Sequence, residues 1–171
     1  NYTIIFDDGP FLASLWLTVA FAIVATIIIN VASCAVAYML TKAFRGANVF
    51  RSIFFMPNLI GGSILGCVWQ LLLNGVLAHW SKSITYSGTY GFWGLVILLC
   101  WQQIGYMMII YIAGLQSLPS DVMEAAQVDG ANPRQTLFHV TIPLMMPSIT
   151  VCTFLTVTNG FKLFDQNLAL T

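Results

Sequence analysis

Along the chain the charged positions come in tight groups, and the stretches between them carry no charge. The groups are Asp7 and Asp8; Lys42, Arg45 and Arg51; Lys82; Asp121, Glu124, Asp129 and Arg134; and Lys162 with Asp165. Between them lie uncharged runs at 9–41, 52–81, 83–120 and 135–161, of 33, 30, 38 and 27 residues. A helix needs about 20 apolar residues to cross the hydrocarbon of a bilayer. Each run therefore holds one crossing with some interfacial flank, and none comfortably holds two. The pattern predicts four spans over 11–40, 52–73, 91–117 and 142–161.

Other periodicities do not fit. A soluble bundle needs a polar face every 3.6 residues, yet Phe11–Leu40 has Asn30 as its one amide, with Ser, Thr and Ala in the remaining gaps. A transmembrane barrel needs alternation in segments of about ten residues, and none is seen. Composition agrees: 58% of residues are hydrophobic, 7% are charged, and mean hydropathy is +0.85. Soluble domains average about 45–50% apolar and about 25% charged. Six bases balance six acids, so no basic patch is available for nucleic acid. A disordered chain, a nucleic-acid binder and an ordinary soluble enzyme are excluded. The fold class is all-α: a multi-pass transmembrane helical bundle embedded in the lipid bilayer, read as one transmembrane domain over 1–171.

The bases set the orientation. One side carries Lys42, Arg45, Arg51 and Arg134; the other carries Lys82 and Lys162 with Asp7, Asp8 and Asp165. The excess assigns the loops 41–51 and 118–141 to the cytoplasm and both chain ends to the outside. The first residue is Asn1, no signal peptide is recognisable, and the pattern of spans stops unfinished. The expectation is a fragment lacking at least one helix at each end. Cys34, Cys67, Cys100 and Cys152 fall in different spans, with no Cys-x-x-Cys and no Cys/His cluster. They read as small apolar residues, and no metal site is expected. His79 and His139 read as interfacial. Trp69, Trp80, Trp93 and Trp101 include interfacial anchors, and Gly66, Gly94 and Gly105 suit close helix contact.

Residues 118–141 are the most informative stretch. Pro119 ends the third span. Asp121 with Glu124 has the spacing of a capping box, and Val122, Ala125 and Ala126 give a small apolar face to a two-turn helix. Gly130 is placed to end that helix in a left-handed conformation. Asn132 with Pro133 starts a second helix, a cap followed by proline in the first turn. Leu137, Phe138 and Val140 lead back to the membrane. A plain connector needs far fewer residues. Two capped helices with small residues at the tip suit docking into a cleft on another protein.

The segment Glu124-Ala125-Ala126-Gln127-Val128-Asp129-Gly130-Ala131, followed by Phe138, Ile142-Pro143 and Pro147, resembles the EAA loop of ABC-importer permeases. Tyr111–Pro119 resembles the carbohydrate branch of that family. Phe44-Arg45-Gly46, Phe50-Arg51 and Phe54-Phe55-Met56-Pro57 resemble its loop between the second and third core helices. Phe161–Asp165 and Leu170-Thr171 resemble the maltose-type first permease subunit. The resemblance implies an incomplete type I importer permease covering core helices two to five, in a bacterial or archaeal cell (inner) membrane. It implies cytoplasmic ATPase subunits, a second homologous permease subunit and an extracellular solute-binding protein as partners; the outer loop 74–90 could meet the last, but as a solvated loop it needs no such role. ATP and magnesium would sit on the ATPase: no cofactor is expected on this chain, which lacks a phosphate-loop motif, and no catalytic residue of its own is implied. Glu124, Ala125, Ala126, Asp129 and Gly130 would make the ATPase-coupling contact, with Glu124 paired to a base or cap on the ATPase.

Polar residues within spans mark either interhelical hydrogen bonds or a solute path. Asn30 and Gln70 stand alone and read as the former. Gln102, Gln103 and Tyr106 cluster near the middle of the third span, and Thr156, Asn159 and Gly160 lie on the fourth. Amides donate and accept, as sugar hydroxyls require, and Tyr106 and Trp101 add a stacking face. Counted from the EAA motif, those six positions fall where the maltose-type subunit lines its sugar site; most side chains differ there, and Tyr106 matches. Pro57 and Gly61-Gly62 bend or thin the second span. An ion-coupled carrier or channel is the alternative, but it calls for charged residues within the spans. An intramembrane enzyme needs a Ser–His pair, paired aspartates or a metal site; both histidines lie near span ends.

Overall fold

The structure, a computed structural model, describes residues 9–41, 46–78 and 88–163. Asp7, Asp8, Lys42, Phe44, Arg45, His79, Trp80, Lys82, Phe164, Asp165, Leu170 and Thr171 lie outside the described residues, as do parts of the loops around them. The described residues form helices α1 (Gly9–Thr41), α2 (Ala47–Phe55), α3 (Gly62–Ala78), α4 (Gly88–Gln116), α5 (Ser120–Val128), α6 (Pro133–Gln135), α7 (Ile142–Leu144) and α8 (Met146–Phe161). A 3-10 turn at Met56–Leu59 follows α2, and a wide π turn at Thr136–Thr141 joins α6 to α7.

Helices α1, α4 and α8 pack on one another and build the core. On α1 the buried positions are Phe21, Ala22, Ala25, Thr26, Ile29, Ser33, Ala37 and Leu40, a stripe at three- and four-residue intervals that a helix places on one face. The large side chains Trp16, Leu17, Ile27, Val31 and Met39 point outward and are exposed. A soluble helix would bury them. In lipid no hydrophobic force drives helices together, so small residues make the contact and bulky ones meet acyl chains. The pattern explains why α1 reads as apolar all round.

Glycines set the closest approaches. A Cβ on Gly105 would run into the Phe54 carbonyl and sit 2.9 Å from the Phe55 nitrogen. Gly114 faces the Ser148 side chain, whose Cβ would lie 2.9 Å from an added methyl, and Gly160 faces Ala22 at 3.3 Å.

Among the described residues, only α1 from Phe11 and α4 are each long and apolar enough to cross a membrane alone. Two bent pairs reach that length when joined: Ala47–Leu59 with Gly62–Leu77, bent by 100°, and Pro133–Leu144 with Met146–Phe161, bent by 67°. The second span, expected over 52–73 with a bend or thinning at Pro57 and Gly61-Gly62, is interrupted between Leu59 and Gly62. Pro57 removes a backbone donor, Ile60 takes an extended conformation (φ −85°, ψ 131°), and Gly61-Gly62 has little helix preference to bridge the gap. The second bend sits at Met145, between Pro143 and Pro147, neither of which has an N–H to continue a ladder. The arm Pro133–Leu144 accordingly leaves the bundle axis. The rings of Trp69 and Trp101 meet edge to face at 5.6 Å, where α3 packs on α4.

Candidate functional site

The stretch 118–141 folds as an elbow of its own. Pro119, extended at ψ 128°, starts α5 at Ser120 with no side-chain cap. The capping box expected at Asp121 and Glu124 is therefore absent; the helix begins before Asp121, which falls in the first turn. There its carboxylate still complements the positive end of the helix. At the other end the chain closes as a Schellman motif. The Gly130 N–H donates to the Gln127 carbonyl at 3.0 Å and the Ala131 N–H to the Ala126 carbonyl at 3.0 Å. Gly130 takes φ +76°, a conformation strained for any residue with a Cβ. The capping box lies one helix later. The Asn132 side chain accepts from the Gln135 N–H, and the Gln135 side chain accepts from the Asn132 N–H, both at 2.9 Å. Asn132-Pro133 gave away the start; the reciprocal Gln135, three residues on, was the missed half of the signal.

No residue of α5 is buried. The helix packs against the π turn that follows it and makes no substantial contact with α1, α4 or α8. Glu124, Ala125, Asp129 and Gly130 are exposed and Ala126 is half-buried. Val128 is 87% exposed and Phe138 62%, so the outer face of the elbow is small, partly apolar and bordered by carboxylates.

Within the bundle the polar side chains fall into separate groups. Asn30 does not stand alone. It accepts from the Tyr111 hydroxyl at 2.7 Å and donates to the Thr156 hydroxyl at 2.9 Å and to the Thr26 carbonyl at 2.9 Å. Thr156 and Tyr111 are each 1% exposed, so this network ties α1, α4 and α8 together at their shared interface. Ser33 adds a second tie, donating to the Ile104 carbonyl at 3.1 Å. Between α8 and α4 the Asn159 amide donates to the Gln103 side chain at 3.2 Å. Gln102 turns the other way: its amide lies 3.5 Å from the Ile60 carbonyl, at the break in the second span. Tyr106, half-buried, is one turn below both glutamines on α4.

Of the six path candidates, the structure brings Gln103 and Asn159 into contact and keeps Gln102 and Tyr106 on the neighbouring face of α4. It places Thr156 inside the helix interface and uses Gly160 for the contact with Ala22. Tyr111 is the partner of Asn30 that spacing alone did not reveal, since the two are 81 positions apart. Among the described residues no group of three or more His, Cys, Asp or Glu side chains is placed to hold a metal.

The elbow is exposed and closed by its own hydrogen bonds, and comparison with known proteins places the whole chain in a family. Residues 11–171 match the family described as "Binding-protein-dependent transport system inner membrane component". The chain belongs to this family. It is 43% identical, over its full length, to the probable starch degradation products transport system permease protein AmyD of Thermoanaerobacterium thermosulfurigenes, and covers 61% of that protein. It is 30% identical to the multiple sugar-binding transport system permease protein MsmF of Streptococcus mutans, again over its full length, and covers 62% of it. The chain thus spans about three-fifths of these relatives. The fold is similar to a crystal structure of a bacterial ABC transporter involved in the import of the acidic polysaccharide alginate: TM-score 0.78, 18% identity, 94% of this chain and 60% of that one. The family and the apolar helices make this an all-α, membrane-embedded inner-membrane component of a transport system.

Proposed function

We propose that the chain is part of the permease subunit of an ATP-driven importer, one that moves a sugar or oligosaccharide by alternating access. The elbow 118–141 is its coupling contact with a separate ATPase. The observation that carries this reading is the elbow's independence: α5 is capped at its C-terminal end, exposed, and supported by its own return arm rather than by the bundle. Such a knob can transmit a push through Pro133–Leu144 to α8 without unpacking the core. Ala125 and Ala126 permit close approach, Glu124 and Asp129 offer charge to a basic or amide-rich cleft, and Gly130 fixes the turn. ATP and magnesium act on the ATPase side. A second permease completes the pathway, and the family's dependence on a binding protein supplies an extracellular partner.

A carbohydrate cargo is supported by the polar groups of the spans and by the printed names of AmyD and MsmF. Gln102, Gln103, Tyr106 and Asn159 donate and accept without bearing charge, which suits an uncharged polyhydroxylated solute; Thr156 and Gly160 hold the helix carrying Asn159 in place. The broken second span is the one feature an ion-coupled carrier would share. Such a carrier also needs charged or readily ionised groups along the path, and the described residues between Ser52 and Gln116 include no Asp, Glu, Lys, Arg or His.

The test replaces Gly130 with Val in the complete transporter. A β-branched residue at φ +76° is strained by about 1–2 kcal/mol or more, enough to unmake the turn. Uptake should collapse and ATP hydrolysis should lose its response to substrate, while membrane insertion persists. Unchanged uptake removes the coupling role.

A further inference from the structure

Arg51 is the one basic residue that the described structure carries into the bundle. Its Nη2 donates to the Leu40 carbonyl at the end of α1, a long contact of 3.3 Å. Its Nε is buried and has no hydrogen-bond partner among the described residues. The carboxylates among those residues are Asp121, Glu124 and Asp129, all on the elbow, and none forms an ion pair with it. A guanidinium has five donors and a charge that cannot be shed. Held partly out of water, it calls for an anion.

The surroundings define which anion fits. Arg51 lines an open cavity of about 340 Å³ between α2 and α4, with Ser52 and Gln116 beside it and Phe55, Ile109, Ile112 and Ala113 as the remaining wall. The cavity lies at a definite depth. Gln116 is the last residue of α4 and Leu40 is near the end of α1, on the side that the basic residues assign to the cytoplasm. From there α2 follows α4 inward, meeting Gly105 at Phe54. The polar rim thus faces the headgroup level, and the apolar wall runs down toward the hydrocarbon. Ile109 is 40% exposed, so that wall opens sideways rather than into the bundle. A charged, hydrogen-bonding rim above an apolar slot matches one class of ligand that the surroundings supply in excess.

We infer that the Arg51 cavity binds the phosphate of an anionic phospholipid from the cytoplasmic leaflet, with Ser52 and Gln116 beside the headgroup and an acyl chain along Phe55 and Ile109. Basic pockets between helices at this level are suited to such headgroups. The bound lipid neutralises Arg51 and fastens α2 to the end of α1, the segment that leads into the broken span.

The experiment uses the complete transporter in nanodiscs of mixed phosphatidylcholine and phosphatidylglycerol, with retained lipid counted by native mass spectrometry and a photo-crosslinker placed at Ile109. The wild type should retain phosphatidylglycerol over phosphatidylcholine by about five-fold beyond the bulk ratio, as one basic contact near the surface implies. Arg51→Gln should lose that preference, and Ala113→Phe, which fills the cavity but keeps the guanidinium, should lose it too. If Arg51→Gln fails to assemble, Ala113→Phe and Arg51→Lys carry the test; the lysine keeps the charge without the planar fork and should retain part of the preference. Equal retention by wild type and variants overturns the inference. So does a crosslink from Ile109 to another protein segment, which assigns the cavity to a helix or partner subunit. An Arg51-dependent stabilisation by inorganic phosphate equal to that given by phosphatidylglycerol overturns it as well, assigning the cavity to a free anion.

Discussion

Replacing Asn30 with Leu keeps the branched heavy-atom skeleton of the side chain and removes the hub that joins α1, α4 and α8. The Tyr111 hydroxyl, 2.7 Å from Asn30 Oδ1 and on a residue 1% exposed, is left without that acceptor in an apolar interface. A stranded hydroxyl costs about 1–3 kcal/mol. Thr156 loses its donor from Asn30 but keeps its own bond to the Cys152 carbonyl at 2.8 Å, so its loss is near the roughly 0.6 kcal/mol average of intramembrane bonds. Asn30→Leu should therefore destabilise the bundle by about 2 kcal/mol. Tyr111→Phe alone should cost about 1 kcal/mol. In the double variant neither polar end is left to strand, so the total should fall short of the sum by about 1 kcal/mol. The assay is equilibrium unfolding of the complete permease in mixed micelles, scored as a double-mutant cycle. Thr18→Val is the control, because Thr18 bonds only its own helix, to the Ser14 carbonyl; it should change stability by less than about 0.5 kcal/mol. Additivity of Asn30→Leu and Tyr111→Phe within about 0.3 kcal/mol would refute the claim that these residues act as one interhelical unit.

Three further outcomes follow from the same geometry. Gly105→Ala should destabilise the fold by about 1–3 kcal/mol, and no side-chain change at Phe54 should rescue it, because the obstruction is backbone; Gly114→Ala should be rescued by Ser148→Gly, and thermal unfolding of the pairs distinguishes the two cases. Asn132→Ala should loosen the start of the return arm by about 1 kcal/mol, visible as faster amide exchange at 133–136 with α1 and α4 unaffected. Gln103→Leu or Asn159→Leu should lower oligosaccharide uptake several-fold while assembly with the partner subunits persists; an unaltered uptake profile would remove this pair from the path.

The long elements were legible because lipid imposes a simple rule: α1 and α4 fill uncharged runs, and charged residues of either sign bound those runs. Gly130 and Asn132-Pro133 were legible because left-handed backbone and helix starts draw on few residue types. The Asp121–Glu124 spacing misled because Pro119 begins the helix at Ser120, which places both acids inside it. The break at Ile60 was foreseeable as a weakness at Pro57 and Gly61-Gly62, but its 100° angle depends on the close approach of Phe54 to Gly105, a tertiary fact. Asn30 seemed solitary because its partners lie 81 and 126 positions away, a separation that no local pattern encodes. The contact between Trp69 and Trp101 went unread for the same reason.

The account rests most heavily on α5 being a docking knob for a partner. A single cysteine in place of Ala125, probed with a membrane-impermeant maleimide in inside-out vesicles, tests this directly. The cysteine should react readily when the permeases are present alone and become protected when the ATPase subunits are assembled on them. Equal reactivity with and without the ATPase, or reaction only from the outer face of intact cells, would contradict it.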